Sequence, residues 1–164
     1  MKTSDDTLKQ ITAYTAAQLG SQFRTHAYSV LIVKNTARLL CWDRSGTILT
    51  EPFKYDEFPY LAEFICCYSN ASPEMCGKDQ SVSDPTPVEA TIARQALVLD
   101  DNTPLVKLAI PHTDGSSLYH IAPAPQVTHY TPPGYATCGF QAYNISQRML
   151  VYIKDSWRVN MPDI

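Results

Sequence analysis

The sequence predicts an α+β fold in which helices and antiparallel strands form successive blocks. Three observations carry this prediction: apolar residues at helical spacing near the start, three strand-length apolar runs separated by turn residues, and a helix-capping pattern at Thr86. A length of 164 residues suits one ordinary domain or two small ones. Hydrophobic residues at 45% and charged residues at 18% are typical of a globular protein.

The first block is a helix followed by a three-stranded meander. Ser4 offers a capping hydroxyl ahead of two carboxylates, and apolar residues then recur at helical spacing to about Arg24. Asp43 and Gly46 indicate a hairpin turn, because the Asp side chain binds nearby backbone amides and Gly46 is expected at positive φ. The three predicted strands are Ala27–Val33, Ala37–Trp42 and Thr47–Glu51.

The middle of the chain predicts two further helices. The first begins near Glu57 and ends by Asn70, with apolar residues at i, i+3, i+4 and i+7. The second follows Thr86, which caps it, while Pro87 takes the first helical position and Glu89 completes a capping box. The expected buried faces are Leu61, Phe64, Ile65 and Tyr68 in the first helix and Val88, Ile92, Ala96 and Leu99 in the second.

Strands are expected to dominate after residue 101. Twelve prolines against six glycines is an unusual ratio, and four of the prolines lie in residues 122–133, which predicts an extended connection. The character of the chain changes near residue 101, which suggests a leading region over 1–101 and a second region over 102–164. The predicted strands of the second region are Leu105–Ile110, Leu118–Ile121, Cys138–Tyr143 and Met149–Lys154, the last two as a hairpin.

Charge excludes one class of function and leaves another open. A net charge of −3 argues against nucleic-acid binding, which normally needs a basic excess. Residues 51–101 hold ten acidic and three basic side chains, so the middle of the chain is strongly acidic. This acidic region is either a solvated face or a surface for a protein partner.

Cysteine usage and the opening residues indicate an intracellular protein, cytoplasmic or nuclear. The five cysteines are odd in number and form no C-x-x-C pair, which suits reduced thiols. The polar start does not fit a secretory leader, and no apolar run is long enough for a membrane span. The four histidines share no metal-ligand spacing, so no metal site is predicted.

A glycine pattern near the end points to phosphate chemistry. Gly134 and Gly139 bracket a short loop ahead of a strand, and Lys154 lies on the strand after it. Loop glycines expose backbone amides to phosphate oxygens, and a lysine on the following strand reaches the same phosphates as a point charge. The alternative is an ordinary turn with a surface lysine. A metal-dependent nuclease on the meander, using Asp43 and Glu51, is a further alternative, although the acidic-x-Lys spacing is missing.

Longer segments resemble the fungal-type protein kinase domain family. They include Tyr14–Leu19, Gln22–His26, Tyr28–Ile32, Ala37–Gly46 and Thr50–Phe53 in the first half, and Gly139–Tyr143 and Ile153–Arg158 in the second. The resemblance implies that residues 1–101 are the helix and meander that lead into the kinase domain. Residues 102–164 would then be the first strands of a protein-kinase-like small lobe.

The resemblance also implies a ligand and an activity. Gly134 and Gly139 would belong to the glycine loop, Lys154 would pair with the phosphates of ATP, and the parent activity would be phosphorylation of protein serine or threonine. The catalytic and magnesium-binding aspartates of a kinase would lie beyond Ile164, so the 164 residues are expected to be an inactive, partial kinase without magnesium ligands. Tyr152, in place of the small alanine of ordinary kinases, makes weak or no ATP binding the expectation. The alternative is a non-catalytic interaction module of pseudokinase type.

Overall fold

The α+β prediction is confirmed by the structure, a computed structural model that describes residues 4–43, 45–125 and 138–155. The described residues form three helices and two antiparallel sheets. They divide into two compact units, one holding residues 4–43 and 45–79 and the other holding 80–125 and 138–155. The second unit therefore begins before residue 101 and includes the third helix; the proposed family division at 101 stays a prediction.

The first unit contains two helices and one four-stranded antiparallel sheet. Strand β2 lies at its centre and pairs with β1, β3 and β4, always antiparallel. The short β4 has no counterpart among the predicted strands, and the first helix ends three residues before Arg24. The elements are α1 (Ser4–Ser21), β1 (Ala27–Val33), β2 (Thr36–Trp42), β3 (Thr47–Leu49), β4 (Phe53–Lys54) and α2 (Tyr60–Asn70).

The turn after β2 confirms the role predicted for Asp43. Its Oδ1 accepts hydrogen bonds from the amides of Ser45 and Gly46, at 2.7 and 2.8 Å, and its own amide donates to the Gly46 carbonyl at 3.0 Å. The prediction that Gly46 takes positive φ is wrong. The described glycines with positive φ are Gly77 and Gly115, whereas the Asp43 carboxylate closes this turn with Gly46 in an ordinary conformation.

The two helices of the first unit pack against opposite faces of the sheet. On one face, Leu19 of α1 is buried against Ala27, Leu40 and Trp42. On the other face the Tyr28 ring meets aromatic rings of α2, with centroids 5.8 Å from Phe64 and from Tyr68. Because neighbouring residues of a strand point to opposite faces, Ala27 and Tyr28 serve different helices.

Helix α2 departs from the expected pattern in two ways. It begins at Tyr60 rather than near Glu57, because Pro59 is its N-cap and a proline disfavours helical backbone at the residue before it. It also has no buried residue, and Ile65, expected to face inward, is 56% exposed. The ring contacts of Phe64 and Tyr68 with Tyr28 decide which side of α2 meets the sheet, and Ile65 lies off that side.

The second unit is one helix on a five-stranded antiparallel sheet. The strands follow chain order across the sheet, β5-β6-β7-β8-β9, and the predicted hairpin of the last two is confirmed. The two-residue β5 had no counterpart among the predicted strands. The elements are β5 (Val82–Ser83), α3 (Pro87–Leu97), β6 (Leu105–Pro111), β7 (Ser117–Pro123), β8 (Cys138–Asn144) and β9 (Met149–Asp155).

The start of α3 is the capping box that the sequence predicts. The Glu89 amide donates to Thr86 Oγ1 at 3.3 Å, and the Thr86 amide donates to Glu89 Oε2 at 2.8 Å. Pro87 occupies the first helical position, where a missing N–H costs nothing. Two of the amides left unpaired at a helix start are thereby satisfied.

The buried face predicted for α3 is confirmed in part, because Ala96 and Leu99 pack against the core cluster whereas Val88 and Ile92 do not. Val88 is 68% exposed and Ile92 is 45% exposed, whereas Ala90 and Ala93 are buried. The two alanines allow the helix backbone to approach the sheet closely, and they pack in one cluster with Leu105, Ile121 and Tyr143. Small side chains therefore face the sheet at Ala90 and Ala93, because alanine leaves room for the bulky residues of the sheet.

The residue that follows α3, Val98, has a strained backbone conformation. Val98 follows the helix at φ 55° and ψ 52°, a left-handed conformation that a β-branched residue adopts at a cost, and its side chain is 90% exposed. We expect Val98→Gly to raise the free energy of unfolding by about 1 kcal/mol, because glycine relieves the strain and no packing is lost. Urea denaturation of both proteins measures the difference.

Val88→Gly is the matched control, because Val88 is also exposed but lies within the helix. Here glycine should lower the free energy of unfolding, since it weakens a helical position. A decrease for Val98→Gly equal to that for Val88→Gly would contradict the strain at Val98.

Candidate functional site

The hairpin of β8 and β9 brings together two of the three residues predicted to bind phosphate. Gly139 lies directly opposite Lys154 in the antiparallel register. The Lys154 side chain is exposed and forms no ion pair with any residue in the described ranges. The third predicted residue, Gly134, lies outside the described residues.

Gly139 has a structural reason to be glycine. A Cβ atom built at this position would overlap the hydroxyl of Tyr152, which lies on the same face of the hairpin two residues from the partner Lys154. The φ of Gly139 is not positive, so the backbone itself does not require glycine. An aromatic side chain lying across a glycine of the neighbouring strand is a known way to stabilise such a position. Tyr152 therefore occupies the space beside the Gly139 backbone.

An ion pair that the sequence analysis missed joins α3 to the sheet. Lys107 Nζ of β6 lies 2.7 Å from Glu89 Oε1, and each side chain is only 21% exposed. The hydrogen bond from Lys107, together with the bond from the Thr86 amide, holds the pKa of Glu89 below its usual value. The two residues are eighteen positions apart, so no local pattern could have paired them.

A cavity of about 430 Å³ adjoins this ion pair. Apolar side chains from α3 and from the sheet form most of its wall, and Arg148 stands at one side at φ 52° in the turn between β8 and β9. Ile92 lines this cavity and is not part of the packed cluster of α3 and the sheet. The lining residues are Glu89, Ile92, Ile121, Tyr143, Ile145 and Arg148.

A buried polar pair crosses from β7 to β8. Asn144 Nδ2 lies 3.0 Å from His120 Nε2, and the two residues are 2% and 6% exposed. The Asn144 Oδ1 accepts a hydrogen bond from the Gln147 amide, which leaves the Asn144 amide nitrogen to donate to the histidine. His120 is therefore neutral with its proton on Nδ1. Burial lowers the pKa of His120, and the Leu118 backbone opposes this in part.

The burial of His120 predicts a pH-dependent stability. Its folded pKa is lower than the unfolded value of about 6.5, so the stabilisation is full above that value and is lost as the pH falls toward the folded pKa. We expect the free energy of unfolding to decline from pH 7 to pH 5, and His120→Gln to flatten that decline. Denaturant titrations at several pH values measure both slopes.

His112→Gln is the control for this experiment, because it removes a histidine from the surface of the same unit, where the His112 side chain is 47% exposed and its Nδ1 lies 3.2 Å from Asp114 Oδ1. It should leave the slope near the wild-type value. An unchanged slope in His120→Gln, or a flattened slope in His112→Gln alone, would show that His120 is not the titrating group.

In residues 4–43, 45–125 and 138–155, no three His, Cys, Asp or Glu side chains converge as metal ligands. Cys41, Cys66, Cys67 and Cys76 are free thiols. None of the described helices is long and apolar enough to cross a membrane.

Comparison with known proteins found no match. No family model, no curated protein and no solved structure is significantly similar to the chain.

Proposed function

We propose that the chain is a partial fungal-type protein kinase domain whose β8–β9 hairpin carries the phosphate-pairing lysine of a small lobe. The pairing of Gly139 with Lys154 carries this proposal, because it sets the lysine beside the first strand that follows the glycine loop. The neighbouring order β7-β8-β9, all antiparallel, is what such a lobe requires of its first three strands. Lys154 is exposed and has no carboxylate partner among the described residues, so its charge is available to an anion.

The proposed role is nucleotide binding without phosphoryl transfer by these 164 residues. Transfer needs carboxylates that hold magnesium and accept the hydroxyl proton, and a lone lysine supplies only ground-state attraction. Tyr152 also lies over Gly139, where it occupies space that a phosphate beside the strand would need. The proposed ATP affinity is therefore weak, in the millimolar range.

Calorimetric titration with ATP tests the lysine. We expect weak heat from the wild-type chain and none from Lys154→Met, because the methionine keeps the length of the side chain and removes its charge. Tyr152→Ala should bind ATP more tightly than wild type, since it uncovers the Gly139 backbone. Lys9→Met, an exposed lysine of α1, is the charge-matched control and should behave as wild type.

Two results would count against the kinase proposal. Heat that survives in Lys154→Met would place the nucleotide elsewhere, and a folded wild-type chain without heat at any ATP concentration would show that no phosphate site is present.

A second candidate is a non-catalytic interaction module. It is favoured by α2, which has no buried residue, exposes Tyr60 and Ile65, and lies in the acidic region 51–101. Exposed apolar side chains on a helix whose one charged residue is Glu63 suit a protein partner with an apolar contact surface. A folded chain that gives no heat with ATP would favour this candidate over the first.

A further inference from the structure

A groove of about 780 Å³ lies between α1 and the sheet of the first unit. Leu8 and Thr12 of α1 form one wall, and β2 forms much of the floor through Leu40 and Trp42. Further toward the C-terminal end of α1, Leu19 closes onto the sheet and the core is packed. The groove is thus the open part of a helix–sheet interface, and its volume is that of a typical small-molecule site.

Arg38 belongs to this groove by register. It pairs with Leu31 across β1 and β2, and it lies two residues before Leu40. Residues two apart on a strand share a face, so Arg38 lies on the face covered by α1, together with Leu31, Leu40 and Trp42. The β2 positions on that face are Thr36, Arg38, Leu40 and Trp42, and Arg38 is the charged residue among them.

Among the described residues that line the groove, the cations have no acidic partner. The described lining residues include two cations, Arg38 and Lys34, and no aspartate or glutamate. Arg38 forms no hydrogen bond or ion pair with any residue of the described ranges. Lys34 also lines the groove, at φ 56° in the two-residue turn between β1 and β2. A guanidinium held on an apolar face without a partner suits an anion supplied from outside.

We propose that this groove binds a small anionic amphiphile, such as a medium-chain fatty acid. Its carboxylate pairs with the Arg38 guanidinium, and its apolar chain lies along Leu8, Leu31 and Leu40. A carboxylate matches the planar fork of arginine, and the apolar side chains of the lining suit a hydrocarbon chain. The site is independent of the phosphate site proposed at Lys154, which belongs to the other unit.

Fluorescence of Trp42 reports on binding, since Trp42 lines the groove and the chain has one other tryptophan, Trp157. In a Trp157→Phe background, dodecanoate below its micelle concentration should change the Trp42 emission in a saturable way. Arg38→Met should weaken binding by at least about tenfold, the loss expected for one charge-assisted hydrogen bond. Arg38→Lys should bind with intermediate affinity, because the charge stays and the fork is lost.

Three controls separate the head group, the chain and surface charge. Dodecanol, with the same chain and no charge, should bind weakly and equally to wild type and Arg38→Met. Val33→Phe adds bulk at the groove without changing charge, and it should weaken dodecanoate binding if its circular dichroism stays that of the parent. Arg148→Met in the other unit should leave dodecanoate affinity unchanged.

Several results would overturn the proposal. These are no saturable signal with dodecanoate, equal affinity of wild type and Arg38→Met, or an unchanged affinity in folded Val33→Phe. Binding to anionic vesicles without binding to monomeric dodecanoate would also overturn it, because the surface would then recognise a membrane rather than a single amphiphile.

Discussion

The register of the two antiparallel sheets is the constraint from which the other features follow. Because side chains alternate between the faces of a strand, one fixed pairing decides the position of every residue on that strand. The pairing of Leu31 with Arg38 places a cation on the helix-covered face of the first sheet, and the pairing of Gly139 with Lys154 sets a lysine opposite a glycine in the second. In each case both residues lie on strands of one hairpin, whose turn helps to fix the register. Both candidate sites are consequences of strand pairing.

The two units close their helix–sheet interfaces differently. In the second unit Ala90 and Ala93 bring α3 close to the sheet, and Glu89 holds its first turn through Thr86 and Lys107. The burial of two small residues stabilises this contact less per residue than larger side chains would, but it leaves room for bulky sheet residues to pack. In the first unit α1 meets the sheet at Leu19 and leaves a groove beyond it.

Local patterns predicted the elements well, because their causes lie within a few residues. The strands, the Asp43 turn and the Thr86 capping box all depend on neighbours in sequence, and the structure has them close to the predicted bounds. Which face of α3 meets the sheet was not predictable in this way, since it depends on distant residues, namely Lys107 and the large side chains of the sheet. The His120–Asn144 pair is likewise a contact across 24 positions. The sequence pattern predicted that Gly139 and Lys154 lie on the two strands of a hairpin. It did not predict that the Tyr152 side chain lies over Gly139.

The stability of the ligand-free protein tests most directly whether Arg38 is held in the groove for a ligand rather than for the fold. An unpaired guanidinium on an apolar face costs free energy, whereas a methionine of similar length packs there without that cost. The account predicts that Arg38→Met raises the free energy of unfolding by about 1 kcal/mol in denaturant titrations without ligand. A fall of similar size would contradict it, because Arg38 would then form an interaction on which the fold itself depends.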